Sequence, residues 1–252
     1  MTVQGEQAAA AWRDESFARS WAAGDSFRDL LELPRRMAAV VIAGDREASG
    51  LPAPRTIIDV GAGPGAVLEV FLQQFPDAKG FWTDASRAML DLAHERLAPF
   101  GDRVEYHLAD MTDLDGAGLP DDADVITTSR AAHHLDREGL ARFYTDAARH
   151  LAPGGWLVNL DHIGPASQAG PPATAGFDEV WDQRLRAARK TFAVADGPQL
   201  KHHHNYPLTS VQDHLDAFGA AGITDVEVPW RAFYTCLFLG RKAASPQARK
   251  AG

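Results

Sequence analysis

The sequence predicts one large α/β domain. Thr56–Val60 is a β-branched run typical of a buried strand, and Gly61, Gly63 and Gly65 break it into a tight turn before an amphipathic helix. Short apolar strands and helical segments then alternate along the chain, as they do in βαβ units. With 252 residues and 45% apolar content, the chain is long enough to bury a sizeable core.

Composition narrows the class of partner. The formal net charge is −9 and no long Lys/Arg cluster occurs, which argues against a nucleic-acid or anionic-membrane surface and favours a small molecule. The single Cys236 excludes an internal disulfide framework and fits a reducing compartment. The polar N-terminus has no signal peptide, and no apolar run is long enough to span a bilayer. These features predict a cytoplasmic protein with no nucleic-acid or membrane partner.

Two helical segments are predicted ahead of the glycine turn, over Gln7–Ala23 and Ser26–Ala48, with Ser26 as a cap. Residues 1–54 are therefore assigned as an N-terminal helical cover. These helices either cover an edge of the sheet or form a lid over substrate or cofactor. Pro34 predicts a kink or break. The expected lid contacts are Phe17, Trp21 and Arg35, with Phe17 and Trp21 assigned to the substrate.

The glycine turn carries the first specific motif, Asp59-Val60-Gly61-Ala62-Gly63-Pro64-Gly65. Glycine permits positive φ and a close approach of the backbone to a ligand. No Lys follows, as a phosphate-binding loop would require, and the third glycine of the dinucleotide fingerprint is missing. Asp59 would repel a pyrophosphate but can anchor an ammonium group, directly or through water. The motif resembles the first motif of the class I S-adenosylmethionine-dependent methyltransferases.

The resemblance continues after the helix Ala66–Phe75, where a strand over Lys79–Thr83 ends at Asp84. An acidic residue about twenty positions past the glycine loop is the ribose-binding position of such folds. Asp84 could instead cap the helix Ser86–Leu97, although Ser86 suits that role better. The run from Asp84 to Leu90 resembles the second motif of the family. Trp82 and Met89 are also candidates for packing.

A third strand, Val104–Leu108, precedes Asp110 and Met111. The resemblance assigns Asp110 to the adenine amino group and the Met111 amide to a ring nitrogen. Asp is also a common turn residue, so an ordinary turn is the alternative. The cofactor contacts implied as a set are Asp59, Gly61, Ala62, Gly63, Gly65, Asp84, Ala85, Ser86, Met89, Asp110, Met111, Ser129 and Arg130.

The candidate chemistry follows a fourth strand over Asp124–Thr128 and precedes a helix from Arg137 to Leu151. Side chains after Thr128 lie next to the topological switch point of such a sheet, where ligands bind. His133 and His134 are the candidate catalytic residues, since an imidazole can take a proton from a hydroxyl or amine. We favour His133. The alternative is that these histidines only cap and pack.

Leu151–Gly155 predicts a helix stop and turn into a fifth strand, Trp156–Leu160. Asp161 and His162 follow it as candidate substrate-binding residues, together with His133, or as a pair that orients another group. They could join the tract 202–204 in a metal site. Adjacent histidines without ligand spacing are poor evidence for one, and no metal is predicted.

Residues 164–206 are predicted to be a lid insertion that selects substrate, with a dimer contact as the alternative. A last helix, Leu208–Ala221, and two strands, Thr224–Trp230 and Ala232–Gly240, follow. Residues 243–252 are predicted to be a flexible tail.

The resemblance covers residues 55–242, assigned as a methyltransferase domain. It implies a Rossmann-like seven-stranded mixed sheet in the order 3-2-1-4-5-7-6, with strand 7 antiparallel and helices on both faces. It also implies S-adenosylmethionine as cofactor, S-adenosylhomocysteine as product and a small-molecule acceptor methylated on a hydroxyl, amine or carbon, with secondary metabolism as one setting. Alternatives are an enzyme that binds S-adenosylmethionine without transferring methyl, such as a cyclase, a nicotinamide-dependent oxidoreductase, and a non-enzymatic binding protein. A homodimer is a further open expectation.

Overall fold

The computed structural model describes residues 28–164 and 209–244, together with the isolated positions Ser16, Arg19, Arg184 and Ala187. The predicted helix Gln7–Ala23, nearly all of the 164–206 insertion and most of the tail therefore lie outside the described residues. Phe17 and Trp21, the predicted substrate contacts, lie outside them as well.

In the described part of the chain, seven strands form one sheet in the order β3-β2-β1-β4-β5-β7-β6. The strands are β1 Thr56–Val60, β2 Lys79–Asp84, β3 Val104–Leu108, β4 Ala123–Ser129, β5 Leu151–His162, β6 Asp225–Ala232 and β7 Thr235–Arg241. Strand β7 runs antiparallel to both β5 and β6, and the other pairs are parallel. The predicted order and the antiparallel strand are confirmed.

Five helices accompany the sheet in the described ranges: α1 Arg28–Ala48, α2 Ala66–Gln74, α3 Arg87–Leu97, α4 Arg137–His150 and α5 Val211–Ala220. Short 3₁₀ turns cover Ala98–Arg103, Asp115–Ala117 and Ala132–His134. Three of the helices begin at side-chain caps. Ser86 accepts from the Met89 amide, Asp136 from the Gly139 amide, and Ser210 forms a capping box with Asp213.

The core divides into two layers, one on each face of the sheet. Neighbouring residues of β1 face opposite ways, so Ile57 packs with the layer under α1, α2 and α3, whereas Ile58 packs with the layer under α4 and α5. Trp82 and Phe71 are the largest buried side chains of the first layer, and Tyr144 is the largest of the second.

Helix α1 lies on a face of the sheet rather than over an edge. It packs against α2 and against β5 and β7, and its buried side includes Leu31, Ala38 and Ile42. The helix continues through Pro34, so the predicted break is wrong; losing a single N–H donor does not end this helix. Its last turn is anchored by the Asp45 carboxylate, which accepts from the Trp156 indole at 3.3 Å and from Arg241 at 3.1 Å.

Two predicted boundaries are corrected. Strand β5 begins at Leu151 rather than Trp156, because Leu151 already pairs with Ala123 and a register shift before Val125 accommodates the intervening turn. The turn between the last two strands lies at Phe233 and Tyr234 rather than near Arg231, since β6 continues to Ala232.

Candidate active site

The carboxyl ends of β1 and β4 form the centre of the candidate site. These neighbouring parallel strands lead to connections on opposite sides, from β1 to β2 and from β4 to β5. A crevice opens at such a switch point, and ligands of open α/β sheets bind there. The loops that follow β1, β2 and β3 form one side, and the carboxyl ends of β4 and β5 with the beginning of the antiparallel β7 form the other.

The glycine turn needs glycine for backbone conformation and for space. Gly61, Gly63 and Gly65 have φ values of 60°, 52° and 79°, in the left-handed region that L side chains rarely adopt. A Cβ atom on Gly61 would lie 2.6 Å from the Ala131 Cβ, and one on Gly65 would lie 2.8 Å from a Leu97 methyl group. The turn after β1 is therefore packed directly against the turn after β4.

Asp84 ties the glycine turn to the loop after β2. One carboxylate oxygen accepts from the Gly63 amide at 2.9 Å, and the other accepts from the Ser86 amide at 2.8 Å. Burial raises the pKa of Asp84, although these amides act against the rise. A carboxylate has about four acceptor positions, so both oxygens can still accept from a ligand hydroxyl. Ser86, not Asp84, caps α3, as expected.

Asp59 lies at the base of the turn with one oxygen paired. Thr127 of β4 donates to Oδ1 at 2.7 Å, whereas Oδ2 has no hydrogen-bond partner among the described residues. The side chain is fully buried, and burial raises its pKa to about 7. The Arg35 charge acts in the opposite direction. Arg35, predicted as a cover contact, is buried on the inner side of α1.

The predicted adenine contacts lie beyond β3. Asp110 is exposed, and its Oδ1 accepts from the Thr112 amide at 2.9 Å and hydroxyl at 2.7 Å, an Asx turn that leaves acceptor capacity on Oδ2. Its charge helps to raise the pKa of Asp84, so the two carboxylates lie within electrostatic reach. Met111 is half-buried. Met89 is buried beneath the turn, with its sulfur 3.9 Å from where a Gly63 Cβ would lie, and Ala85 is exposed.

His133 and Asp161 form a buried pair beside the turn. His133 Nδ1 lies 2.6 Å from Asp161 Oδ1, and the His133 amide donates to Oδ2 at 3.0 Å. The His162 amide donates to Oδ1 at 2.7 Å. Burial alone would raise the pKa of Asp161, but His133 and these hydrogen bonds hold it below its usual value. An ionised Asp161 accepts from Nδ1–H, which makes Nε2 the basic nitrogen of the neutral His133 ring.

Two further imidazoles flank His133. The ring centroids of His134 and His162 lie 4.0 Å and 5.2 Å from that of His133. His162 Nδ1 is 3.0 Å from the Thr235 hydroxyl, and the Tyr234 ring meets the His162 ring edge-on at 5.1 Å. Asp161 is completely buried, and its oxygens are directed to His133 and to the strand end. Its geometry matches the alternative, in which it orients another group.

Arg130 is the strained residue of the site. Its φ of 54° is in the left-handed region, which costs a non-glycine residue about 1–2 kcal/mol. The Arg130 amide donates to the Leu160 carbonyl at 3.1 Å, which fixes the start of the turn that carries His133. Strain of this kind persists where the surroundings over-determine the backbone, and it clusters at functional sites.

Buried polar atoms without partners mark the same edge of the sheet. In residues 28–164 and 209–244 they include the hydroxyls of Thr83, Thr128 and Ser129, besides Asp59 Oδ2. All four atoms belong to residues in the last two or three positions of β1, β2 and β4, at the carboxyl ends of these strands. Buried polar groups are almost always hydrogen-bonded in folded proteins, so this cluster indicates a polar ligand.

The described residues contain no group of three or more His, Cys, Asp or Glu side chains that could hold a metal ion. No described helix has the length and apolar character needed to cross a membrane.

The fold is Rossmann-like, and the proteins to which the chain is similar are methyltransferases. Residues 57–155 match the family model described as a methyltransferase domain. A 3-amino-4-hydroxybenzoate 4-O-methyltransferase of Streptomyces cremeus is 32% identical over 110 residues, which cover 43% of this chain and 29% of that protein. A trans-aconitate 2-methyltransferase of Rhodopseudomonas palustris (strain BisA53) is 26% identical over 223 residues, covering 77% of this chain and 81% of that protein.

Among solved structures, an O-methyltransferase family protein from Burkholderia thailandensis superposes with a TM-score of 0.66 at 18% identity, covering 97% of this chain and 64% of that chain. This likeness shows the fold. The chain thus spans less than two thirds of the length of that structure and of the Streptomyces relative. Over residues 57–155 the chain is similar to the methyltransferases, and S-adenosylmethionine is the cofactor implied by that likeness.

The residues at this edge fit that cofactor. A cationic amino-acid end suits the unpaired, buried Asp59 oxygen, and ribose hydroxyls suit the remaining acceptor positions of Asp84. At Gly63 a Cβ would be in ordinary contact with the Met89 sulfur at 3.9 Å, whereas Ala131 and Leu97 leave no room for one at Gly61 and Gly65. Sequence reasoning missed Thr127, which fixes Asp59 across the β1–β4 pair; a hydroxyl residue one strand away carries no local signal.

Proposed function

We propose that the protein transfers a methyl group from S-adenosylmethionine to a hydroxyl of a small molecule. The observation that carries this proposal is the His133–Asp161 pair, held next to the glycine turn with Nδ1 and Oδ1 2.6 Å apart. A carboxylate-oriented imidazole is suited to taking a proton, and a hydroxyl acceptor has one to lose. The relative in Streptomyces cremeus is named as a 4-O-methyltransferase and one in Saccharopolyspora spinosa, 34% identical over 108 residues, as an N,N-dimethyltransferase, so the choice of a hydroxyl rests on the His133–Asp161 pair.

The proposed cofactor site, called the cofactor cradle below, consists mainly of residues that follow β1, β2 and β3. Asp84 receives the ribose hydroxyls, and Asp110 with the Met111 amide receives the adenine ring. Asp59 receives the ammonium of the amino-acid end, directly or through water. Arg35, whose charge already acts on Asp59, is positioned to balance the carboxylate of that end. Ser129 and Arg130 complete the side of the cradle formed by β4.

The cofactor supplies an electrophilic methyl group bound to a sulfonium centre. His133 Nε2 accepts the proton of the hydroxyl, and Asp161 keeps the Nδ1–H tautomer and stabilises the imidazolium that results. Burial of the pair excludes water from the proton-accepting nitrogen. The rings of His134 and His162 lie next to that of His133, and the acceptor is expected to bind beside this group of imidazoles, the proposed acceptor slot.

The alternatives make different predictions. An oxidoreductase of the nicotinamide type would continue the parallel sheet to its end, whereas β7 is antiparallel. A cyclase-like enzyme or a binding protein would retain the cofactor cradle but release no S-adenosylhomocysteine. A cytoplasmic location remains part of the proposal and is supported by the single free Cys236.

The test is formation of S-adenosylhomocysteine from methyl-labelled cofactor with a panel of small phenols, alcohols and amines. His133→Gln should lower turnover by about 10²- to 10⁴-fold, because an amide can hydrogen-bond but cannot take the proton. His134→Gln is the matched control for its neighbour. Cofactor binding without product for any acceptor would contradict the proposal, and equal losses for both variants would remove His133 as the base.

A further inference from the structure

A second cluster of buried polar side chains lies behind the His133–Asp161 pair. Asn159 of β5, Tyr144 of α4 and His214 of α5 are all fully buried on the face of the sheet that α4 and α5 cover. Asn159 Nδ2 is 2.8 Å from the Tyr144 hydroxyl oxygen, and that oxygen is 2.8 Å from His214 Nδ1. His214 Nε2 is 3.3 Å from the hydroxyl of Thr209, which is also buried. Neither cofactor nor acceptor chemistry accounts for these groups.

One consistent assignment of donors and acceptors keeps every group in this chain neutral. An amide Nδ2 only donates, so the Tyr144 oxygen accepts from Asn159 and gives its own proton to His214 Nδ1. The neutral His214 ring then carries its proton on Nε2 and donates to Thr209. Burial lowers the pKa of His214 to about 4, which agrees with a neutral ring. The chain of hydrogen bonds thus forms without a charge.

This chain joins the two elements that carry the candidate base and its partner. His133 lies in the 3₁₀ turn Ala132–His134, which leads directly into α4 at Arg137, and Tyr144 lies further along that helix. Asn159 and Asp161 are two residues apart in β5 and therefore face the same side of the sheet. The bond between Asn159 and Tyr144 ties the helix behind His133 to the strand that carries Asp161.

The two sites are also close enough to interact electrostatically. The Asp161 charge contributes, after burial, to raising the pKa of Tyr144. His214 in turn acts on Asp161, and His133 and Asp213 act on His214. Asp161 therefore lies within electrostatic reach of these groups, while its own oxygens bond His133 and the His162 amide.

We propose that Asn159, Tyr144 and His214 are positioning residues, which hold the His133–Asp161 pair in register by fixing α4 against β5 and α5. The inference rests on the proposed function of His133. Because the base and its partner come from different elements, their separation depends on how those elements pack. A misplacement of about 1 Å at a reacting group can cost about 100-fold in rate.

The direct readout is the proton shared by His133 Nδ1 and Asp161, which a bond of 2.6 Å should shift far downfield in the proton NMR spectrum. Its loss in His133→Gln assigns the signal. Tyr144→Phe and His214→Phe should shift or broaden it and lower turnover by about tenfold or more, with the affinity for S-adenosylhomocysteine within about twofold of wild type. His214→Asn, which keeps an acceptor near the Nδ1 position, should restore the signal in part.

The control is His150→Gln at the last residue of the same helix, where a buried imidazole bonds the Pro120 carbonyl at 3.1 Å, far along α4 from the pair. This variant should lower the melting temperature and leave the downfield signal and the pH profile of turnover unchanged. If Tyr144→Phe behaves like His150→Gln, the network is only structural and the inference is overturned. If Tyr144→Phe does not fold, the contrast between His214→Phe and His214→Asn decides the same question.

The two proposals fail separately. A His133→Gln variant with normal turnover would remove His133 as the base, yet the NMR signal would still report whether the network positions the pair. An unchanged signal in Tyr144→Phe and His214→Phe would overturn the positioning role while leaving the base assignment intact.

Discussion

Replacing Asp84 by alanine is expected to weaken S-adenosylhomocysteine binding strongly, since this carboxylate acts on both sides of the cradle. It accepts from the Gly63 and Ser86 amides at 2.9 Å and 2.8 Å, and it is positioned to accept from the ribose. A hydrogen bond to a charged group contributes about 1.5–3 kcal/mol, so loss of the ribose contact alone predicts an affinity about 10- to 150-fold lower. The variant also removes the acceptor of the Gly63 amide, and the resulting freedom of the glycine turn should weaken binding further.

Calorimetry with two ligands separates the ribose contact from the effect on the turn. S-adenosylhomocysteine should be compared with its 2′,3′-dideoxy analogue, on wild type and on Asp84→Ala. The analogue should bind wild type weakly, but the variant should bind both ligands alike, because the partner of the hydroxyls is gone. Asp91→Ala, which removes an exposed carboxylate from α3, is the matched control and should change neither affinity. A folded Asp84→Ala that still discriminates between the ligands would refute the ribose assignment.

Three further outcomes are expected. The pKa of Asp59 is raised to about 7, and a cationic ligand favours its ionised form. The affinity for S-adenosylhomocysteine, measured by calorimetry, should therefore fall as the pH drops below about 7. Asp59→Asn should remove most of this pH dependence. Burial lowers the pKa of His214 from 6.5 in the unfolded chain to about 4 in the folded protein. Its contribution to the free energy of unfolding is therefore complete above pH 6.5 and is lost as the pH falls towards 4. Urea titrations at several pH values should show this decrease, and His214→Phe should remove it. Gly61→Ala should lower both the melting temperature and the affinity for the cofactor, because its Cβ would lie 2.6 Å from the Ala131 Cβ. As a control, Gly44→Ala in α1 adds a Cβ with nothing within 4 Å and should stabilise the protein by about 0.5–1 kcal/mol. An unchanged Gly61→Ala protein would contradict the packing argument.

The cofactor side was predictable because its signals are local. The glycine turn and Asp84 belong to strand–loop–helix motifs that the spacing of residues predicts. The strand order was implied by the family resemblance. The structure then supplied what spacing cannot, namely that Asp84 bonds the Gly63 amide 21 residues away. Boundaries failed where pairing overrides local signals, as at Leu151, which continues a strand by pairing with Ala123 despite the turn residues that follow it.

The catalytic side was predictable only as a set of residues. His133 and Asp161 are 28 residues apart, and the sequence predicted only that the Asp161-His162 pair could orient either His133 or the substrate. The positioning network had no signal at all, because Tyr144 and His214 lie 70 residues apart and both resemble core residues of amphipathic helices. Side chains that act through tertiary packing become visible only when their elements are placed.

The division of the sheet explains why one half of the site is general and the other specific. The proposed cofactor cradle consists of residues after β1, β2 and β3, where backbone amides and short loops leave little freedom for change. The ends of β4 and β5 and the turn before β7 instead present side chains: His133, His162 and Tyr234. Substitutions at His162 or Tyr234 can therefore alter the acceptor slot without disturbing the glycine turn. Acceptor preference should change there first, while the pair of His133 and Asp161, which is fixed from behind by α4 and β5, retains its geometry.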